Sequence, residues 1–206
     1  SLAPGRVELG VGNGNTARLT MGLRPVPLGR MKRDIRLIQA LLRGEAAMHD
    51  CEGESHLVQL LHRQHGFIDL DHHIPLTLSA FGPQTLEYCG AECDAHLTWN
   101  ASPGMLQAAR EALGVGARRA GRDPAKIPSK GIFPLAVLRP GESAGSARVL
   151  QSLGPFITNL LHVMCEWDEK LLPSDASIAG VVERYRQYVE SLPAERRHLI
   201  LHEGHL

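Results

Sequence analysis

The sequence has little excess charge and little cysteine. Lys and Arg together number 22, as do Asp and Glu, so the formal net charge is zero. A neutral chain has no electrostatic reason to bind nucleic acid or an anionic membrane, and we expect neither as a partner. Four cysteines among 206 residues are too few for a disulfide scaffold, which favours a cytoplasmic location. No signal peptide and no membrane-spanning apolar run is evident in the sequence. As a partner we expect a small-molecule substrate.

What the sequence does contain is an alternation of short apolar runs with amphipathic stripes. The runs predict five strands, at residues 6–11, 74–80, 95–99, 131–138 and 198–202. The stripes predict helices from about 28 to Gly44, from 83 onward, from 103 to before Gly121, over 146–172 and over 178–192. Residues 45–73 are polar and are expected to form an irregular excursion within a single domain, 1–206. Strands that alternate with helices indicate a parallel α/β sheet.

The first candidate site is the glycine-rich loop after the first predicted strand, because ligands of parallel sheets bind beyond the carboxyl ends of strands. Residues 10–14 read GVGNG, but the dinucleotide spacing G-x-G-x-x-G fails because Asn15 occupies the third position. We also expect about a dozen loop residues here rather than the start of a helix. The loop can still bring backbone close to a ligand, since glycine lacks Cβ, and a plain turn is the alternative.

The second candidate site is the junction at which Gly82 and Pro83 end a strand and begin a helix. Proline suits the first helical turn. Free backbone N–H groups and the positive end of the helix dipole attract a phosphate at such a junction. The donors we expect are the N–H groups of Phe81, Gly82, Gln84 and Thr85, with the hydroxyls of Ser79 and Thr85. A structural turn without a ligand is the alternative.

Residues 141–145, GESAG, match the nucleophile elbow of esterases and make Ser143 a candidate nucleophile. An elbow needs a tight turn directly between strand and helix, whereas Arg139 and Pro140 intervene here. We therefore expect Ser143 on an exposed loop with no histidine in hydrogen-bonding reach. A serine esterase remains an alternative function.

Cysteine and histidine occur near one another in two further places. Cys89 and Cys93 with His96 lack the C-x-x-C spacing and a fourth ligand for zinc, so we expect buried apolar cysteines and no metal. His202 and His205 follow the last predicted strand and do not form H-E-x-x-H. At the mouth of a barrel these two histidines could face a substrate.

Three segments together resemble the luciferase-like flavin- or deazaflavin-dependent oxidoreductases. They are 9–16 (LGVGNGNT) with Met21-Gly22 and 41–45 (LLRGE); 66–70 (GFIDL) with 74–83 (IPLTLSAFGP) and Leu86; and 91–95 (AECDA). The resemblance implies a partial TIM-like (β/α) barrel and a cofactor that is FMN or a deazaflavin coenzyme. It makes residues 6–11 similar to the family's fourth strand and 199–202 to its eighth, with the first three strands absent. Some relatives have an acidic residue at the position of Asn15, whereas an amide cannot donate a proton as a carboxylic acid does.

The resulting hypothesis is an oxidoreductase that performs hydride transfer or monooxygenation on the bound cofactor, with catalytic residues unknown. Its cofactor-binding residues would be Asn13 and Asn15 at the ring or substrate and Ser79, Ala80, Phe81, Gly82, Pro83, Gln84 and Thr85 at the phosphate. A non-catalytic truncated fragment is a further alternative. Five strands do not close an eight-stranded barrel, so we expect an open arc whose exposed edges favour pairing with a second copy.

Overall fold

The computed structural model describes residues 5–99, 103–165 and 176–200. Their contacts divide the chain into two compact units. The first unit comprises Ser1–Asn13 and Val26–Phe133, and the second comprises Gly14–Pro25 and Pro134–Leu206, in each case as far as the residues are described. The first unit contains the sheet, and the second is helical.

The first unit is built on a four-stranded parallel sheet. Its strands are β1 (Leu9–Val11), β4 (Leu76–Ser79), β5 (Ala95–Trp99) and β6 (Ser129–Ile132), hydrogen-bonded in that order. The connecting helices are α2 (Leu28–Leu42), α3 (Pro83–Glu92) and α4 (Pro103–Arg119). Parallel strands in chain order with helical connections form an arc of a (β/α) barrel, which confirms the predicted α/β class and partial barrel.

The helices cover one face of this sheet. Leu76, Leu78 and Ala80 alternate along β4 and its end and are buried against Met31 and Ile35 of α2 and apolar residues of α3 and α4. Side chains alternate between the two faces of a strand. The intervening β4 residues, Thr77 and Ser79, therefore lie on the opposite face.

The opposite face is polar at its centre and concave. The Lys130 ammonium of β6 forms an ion pair with Glu8, which precedes β1, and the Thr77 hydroxyl donates to the same carboxylate. These strands lie at opposite edges of the sheet, about 14 Å apart if the sheet were flat. The two side chains meet only because the sheet curves toward this face, and the small, buried Ala95 of β5 lies between them.

Two glycines bring α3 and α4 into backbone contact. A Cβ at Gly90 would lie 2.0 Å from the carbonyl oxygen of Leu113, and a Cβ at Gly116 would lie 1.7 Å from that of Glu87. No side chain fits at either position. The contact is reinforced by Arg122, whose guanidinium donates to the carbonyls of Gly90 and Cys93 at 2.9 and 2.8 Å.

The second unit contains α1 (Asn15–Leu19), α5 (Ala147–Cys165) and α6 (Ala176–Ser191), with a 3₁₀ turn at Ala194–Leu199. Its buried apolar residues are Val149, Met164, Val182 and Ile200. Within the three described ranges, no helix is long and apolar enough to cross a membrane.

The structure corrects three expectations in the second half of the chain and around the first loop. Residues 198–200 are helical rather than the start of a strand, and 201–202 lie outside the described residues. The strand predicted at 131–138 is β6 and ends at Ile132, because Pro134 has no N–H to continue the ladder. A short helix, α1, begins at Asn15 directly after Gly14, which adopts φ 72°.

The excursion at 45–73 also has regular structure that was not predicted. Strands β2 (Ala47–Cys51) and β3 (Glu54–Val58) pair antiparallel. The two residues of the turn, Glu52 and Gly53, have φ of 54° and 88°. Two successive positive φ angles are the signature of a tight hairpin turn that suits the twist of the strands.

We predict that Gly116→Ala destabilises the protein by about 1–3 kcal/mol, because the added methyl overlaps the Glu87 carbonyl and forces α3 and α4 apart. Thermal or urea unfolding measures the effect. The matched control is Gly104→Ala on the same helix, where a Cβ meets no atom within 4 Å and alanine raises helix propensity. Equal stability of the two variants would contradict the backbone contact.

Candidate functional site

The candidate site lies at the carboxyl edge of the four-stranded sheet. Gly12 follows β1, Phe81 follows β4, Trp99 ends β5 and Phe133 follows β6. Parallel strands bring these ends to one edge, where barrel proteins bind their ligands. The strands hold these four residues in place, and all four belong to the first unit.

The N-terminus of α3 supplies backbone donors at this edge. Gly82 is the N-cap, with extended backbone (φ −79°, ψ 150°), and Pro83 occupies the first turn. The N–H groups of Phe81, Gly82 and Gln84 have no acceptor among the described residues. Thr85 differs from the expectation, because its N–H donates to the Gly82 carbonyl at 3.1 Å. Three of the four predicted N–H groups therefore remain without a described acceptor.

The space around these donors is open and has an aromatic border. A Cβ at Gly82 would meet no atom within 4 Å. Phe81 is half exposed and its ring meets Trp99 edge to face, with centroids 6.3 Å apart. Ser79 and Thr85 are partly buried and Ala80 is buried. Three free amides in an uncrowded cradle at a positive helix end fit a phosphate group.

Lys130, a basic side chain of the concave face, is engaged by another group rather than by this cradle. Lys130 has its Cα level with Leu97 and hence with Ser79 in the register of the sheet. Its ammonium, however, is engaged by Glu8, and this ion pair and the Thr77 hydrogen bond hold the pKa of Glu8 below its usual value. The amides and the helix dipole are then the groups left to face an anion.

A buried histidine beneath the cradle is a feature that the sequence reasoning missed. His96 of β5 is fully buried, and its Nε2 lies 2.9 Å from the carbonyl oxygen of Ala80. Its Nδ1 lies 3.3 Å from the Ser129 hydroxyl of β6. Burial lowers the pKa of His96 and favours the neutral imidazole. Because a carbonyl can only accept, Nε2 carries the proton and Nδ1 accepts from Ser129.

The two predicted asparagines belong to different units of the chain. Asn13 is exposed and belongs to the first unit, where its carbonyl accepts from Val26 N–H at 2.8 Å. Asn15 begins α1 in the second unit. His202 and His205 lie outside the described residues. The roles of these four residues stay predictions.

The loop that carries Ser143 is organised by its neighbour Glu142. Ser143 is exposed, and its hydroxyl accepts from Gly145 N–H at 3.1 Å, with no described histidine bonded to it. Glu142 instead accepts hydrogen bonds from Arg139 N–H, the Ser146 hydroxyl and the Arg148 guanidinium at 2.5–2.9 Å. This geometry is that of a structural loop that leads into α5, and among the described residues no base contacts Ser143 as a nucleophilic serine needs.

The cysteines of α3 are core residues. Cys89 and Cys93 are both fully buried, and the Cys89 thiol donates to the Ala95 carbonyl at 3.4 Å. Hydrogen bonding with Cys89 and burial raise the pKa of the Cys93 thiol well above its usual range. No group of three or more His, Cys, Asp or Glu side chains in the described part of the chain is placed to hold a metal ion.

A surface cavity of about 350 Å³ lies at the opposite, amino edge of the sheet. Its lining includes His73 and Asp94, whose side chains are 3.1 Å apart. Asp94 also accepts from the Leu76 N–H at 2.8 Å and so fixes the start of β4. Residues at this end of a β/α barrel generally serve stability.

The fold is that of a partial (β/α) barrel, and the candidate site lies at the carboxyl edge of its sheet. The chain belongs to the luciferase-like monooxygenase family, whose profile matches residues 1–191. None of the curated protein sequences matches it.

Two solved structures share the fold. One is the coenzyme F420 dependent tetrahydromethanopterin reductase from Methanopyrus kandleri, with a TM-score of 0.53 and 14% identity over 98% of this chain and 58% of that one. The other is an F420-dependent secondary alcohol dehydrogenase in complex with an F420-acetone adduct, with a TM-score of 0.53 and 17% identity over 99% and 61%. The chain thus spans about three-fifths of the length of either protein.

We predict a pH-dependent role for Glu142, whose pKa is lowered to about 2, chiefly by the Arg148 hydrogen bonds. A carboxylate with a depressed pKa stabilises the fold above its unfolded value of 4.5, and the effect is lost as the pH falls toward 2. Glu142→Gln should therefore lower the melting temperature at pH 6, and the gap to the wild type should narrow on acidification below pH 4.5. The control is Glu195→Gln, which replaces an exposed glutamate. A gap that stays constant with pH would refute the assignment.

Proposed function

We propose that this chain is part of an oxidoreductase that binds a deazaflavin, coenzyme F420, at the carboxyl edge of its sheet. Membership of the luciferase-like family and the two F420-dependent proteins of the same fold support this class of cofactor. The cofactor would supply hydride chemistry, and the protein would bind and orient it. A small molecule is the substrate that we propose, with no nucleic acid as a partner, and FMN is the competing cofactor.

The observation that carries the proposal is the cradle at the start of α3. The N–H groups of Phe81, Gly82 and Gln84 form a donor set without a described acceptor, at the helix end where the dipole is equivalent to roughly half a positive charge. A phosphate supplies the oxygens that such a set lacks. The open space at Gly82 admits the group without a side-chain clash.

The side chains around the cradle would orient rather than transform the ligand. The exposed part of Phe81, held edge to face by Trp99, offers an apolar wall beside the amides. The Ser79 hydroxyl, on the concave face of β4, is a further donor close to the same edge. Each of these groups binds or positions, and we assign no proton transfer to them.

We predict that Gly82→Leu weakens F420 binding by at least about tenfold, because the side chain fills the space that the phosphate needs and disrupts its short hydrogen bonds. Fluorescence titration of the protein with F420, and in parallel with FMN, measures the affinities. Gly154→Leu is the matched control, since it is also a helical position at which a Cβ meets no atom within 4 Å, on α5 of the second unit.

Several outcomes would contradict the proposal. Unchanged affinity in a folded Gly82→Leu variant would show that the phosphate does not bind at this junction. Tighter binding of FMN than of F420 by the wild-type protein assigns the other cofactor. An absence of binding to either compound rejects the cofactor site as a whole.

A further inference from the structure

The buried imidazole of His96 lies under the loop that carries the proposed phosphate donors. It is wholly enclosed, and it contacts two other strands: it donates to the Ala80 carbonyl at the end of β4 and accepts from Ser129 at the start of β6. A buried polar side chain with both nitrogens satisfied holds its partners in one arrangement. His96 therefore joins three strands at one point.

The bond to Ala80 fixes the direction of a neighbouring N–H group. The Ala80–Phe81 peptide is trans, as are the described peptide bonds generally. In a planar trans peptide the C=O and the N–H point in opposite directions. Because His96 holds the Ala80 oxygen, the Phe81 N–H of the same peptide must point away from the buried imidazole, and this N–H has no acceptor among the described residues.

The backbone hydrogen bonds between β4 and β5 hold the Ala80–Phe81 peptide only weakly by themselves. The Ala80 N–H donates to the Leu97 carbonyl at 3.4 Å, a long bond at the last rung between β4 and β5. Beyond it the chain leaves the sheet and enters the exposed Phe81-Gly82 segment. The His96 bond, at 2.9 Å, is thus the shorter of the two contacts that determine how the strand ends.

We infer that His96 is a positioning residue for the cofactor site: through the Ala80 carbonyl it orients the Phe81 N–H toward the cofactor phosphate. The inference rests on the proposed function for the identity of the ligand. It does not make His96 a catalytic residue, since the imidazole is buried behind the loop and does not reach the open edge.

The first test compares two substitutions of the same residue. His96→Leu removes both hydrogen bonds, whereas His96→Gln retains an N–H donor for the Ala80 carbonyl. F420 titration should show about tenfold weaker binding for His96→Leu and near-wild-type binding for His96→Gln. Val182→Ala, a core change on α6 of the second unit, controls for general destabilisation and should leave affinity unchanged. Equal affinities of the His96→Leu and wild-type proteins, or equal losses in the leucine and glutamine variants, would overturn the inference.

A second measurement does not depend on the cofactor. The residual dipolar coupling of the Phe81 N–H reports the orientation of that bond, and it should change in His96→Leu and be preserved in His96→Gln. An unchanged coupling in His96→Leu overturns the inference. If wild-type protein binds no F420, the proposed function fails while the coupling still decides the role of His96. If His96→Leu does not fold, His96→Met replaces it, since methionine also lacks the N–H donor for the Ala80 carbonyl; an unchanged coupling in that variant overturns the inference in the same way.

Discussion

The contact between α3 and α4 is the constraint on which the arrangement of the first unit depends. At Gly90 and Gly116 the two helices approach so closely that a single methyl group would overlap a backbone carbonyl. That distance sets how α3 lies over β4 and β5, because Leu86 and Cys89 of the same helix are buried against the sheet. The position of the α3 N-terminus, and with it the donor cradle, follows from this packing at the other end of the helix.

The two faces of the sheet serve different purposes. The helix-covered face is apolar and contributes burial, the largest favourable contribution to folding. The concave face carries Glu8, Thr77 and Lys130, which join both edges of the sheet. The Lys130 ammonium, which could have faced a phosphate, instead pairs with Glu8 across the curved sheet. The proposed site must consequently bind its anion with neutral amides, a solution that helix N-termini make available.

The sequence predicted those parts of the fold whose determinants are local. The helix at Leu28–Leu42 has an uninterrupted apolar stripe, and Pro83 and Pro103 mark the starts of α3 and α4. The early end of β6 could have been predicted from Pro134, which cannot donate to a ladder. The hairpin turn at Glu52-Gly53 was harder, because glutamate rarely adopts positive φ and gives no turn signal.

The part of the site that could not be predicted is the part that depends on neighbours in the sheet. In the sequence His96 stands near Cys89 and Cys93, yet its partners in the structure are Ala80 and Ser129, 16 residues before it and 33 after it. Only strand order brings them together. The amides of a helix N-terminus are present in every helix, and what distinguishes this one is that a buried imidazole holds the preceding peptide. A polar residue on the buried, helix-covered face of a strand, with no partner nearby in sequence, therefore indicates a hydrogen bond to a neighbouring strand and to the loop that follows that strand.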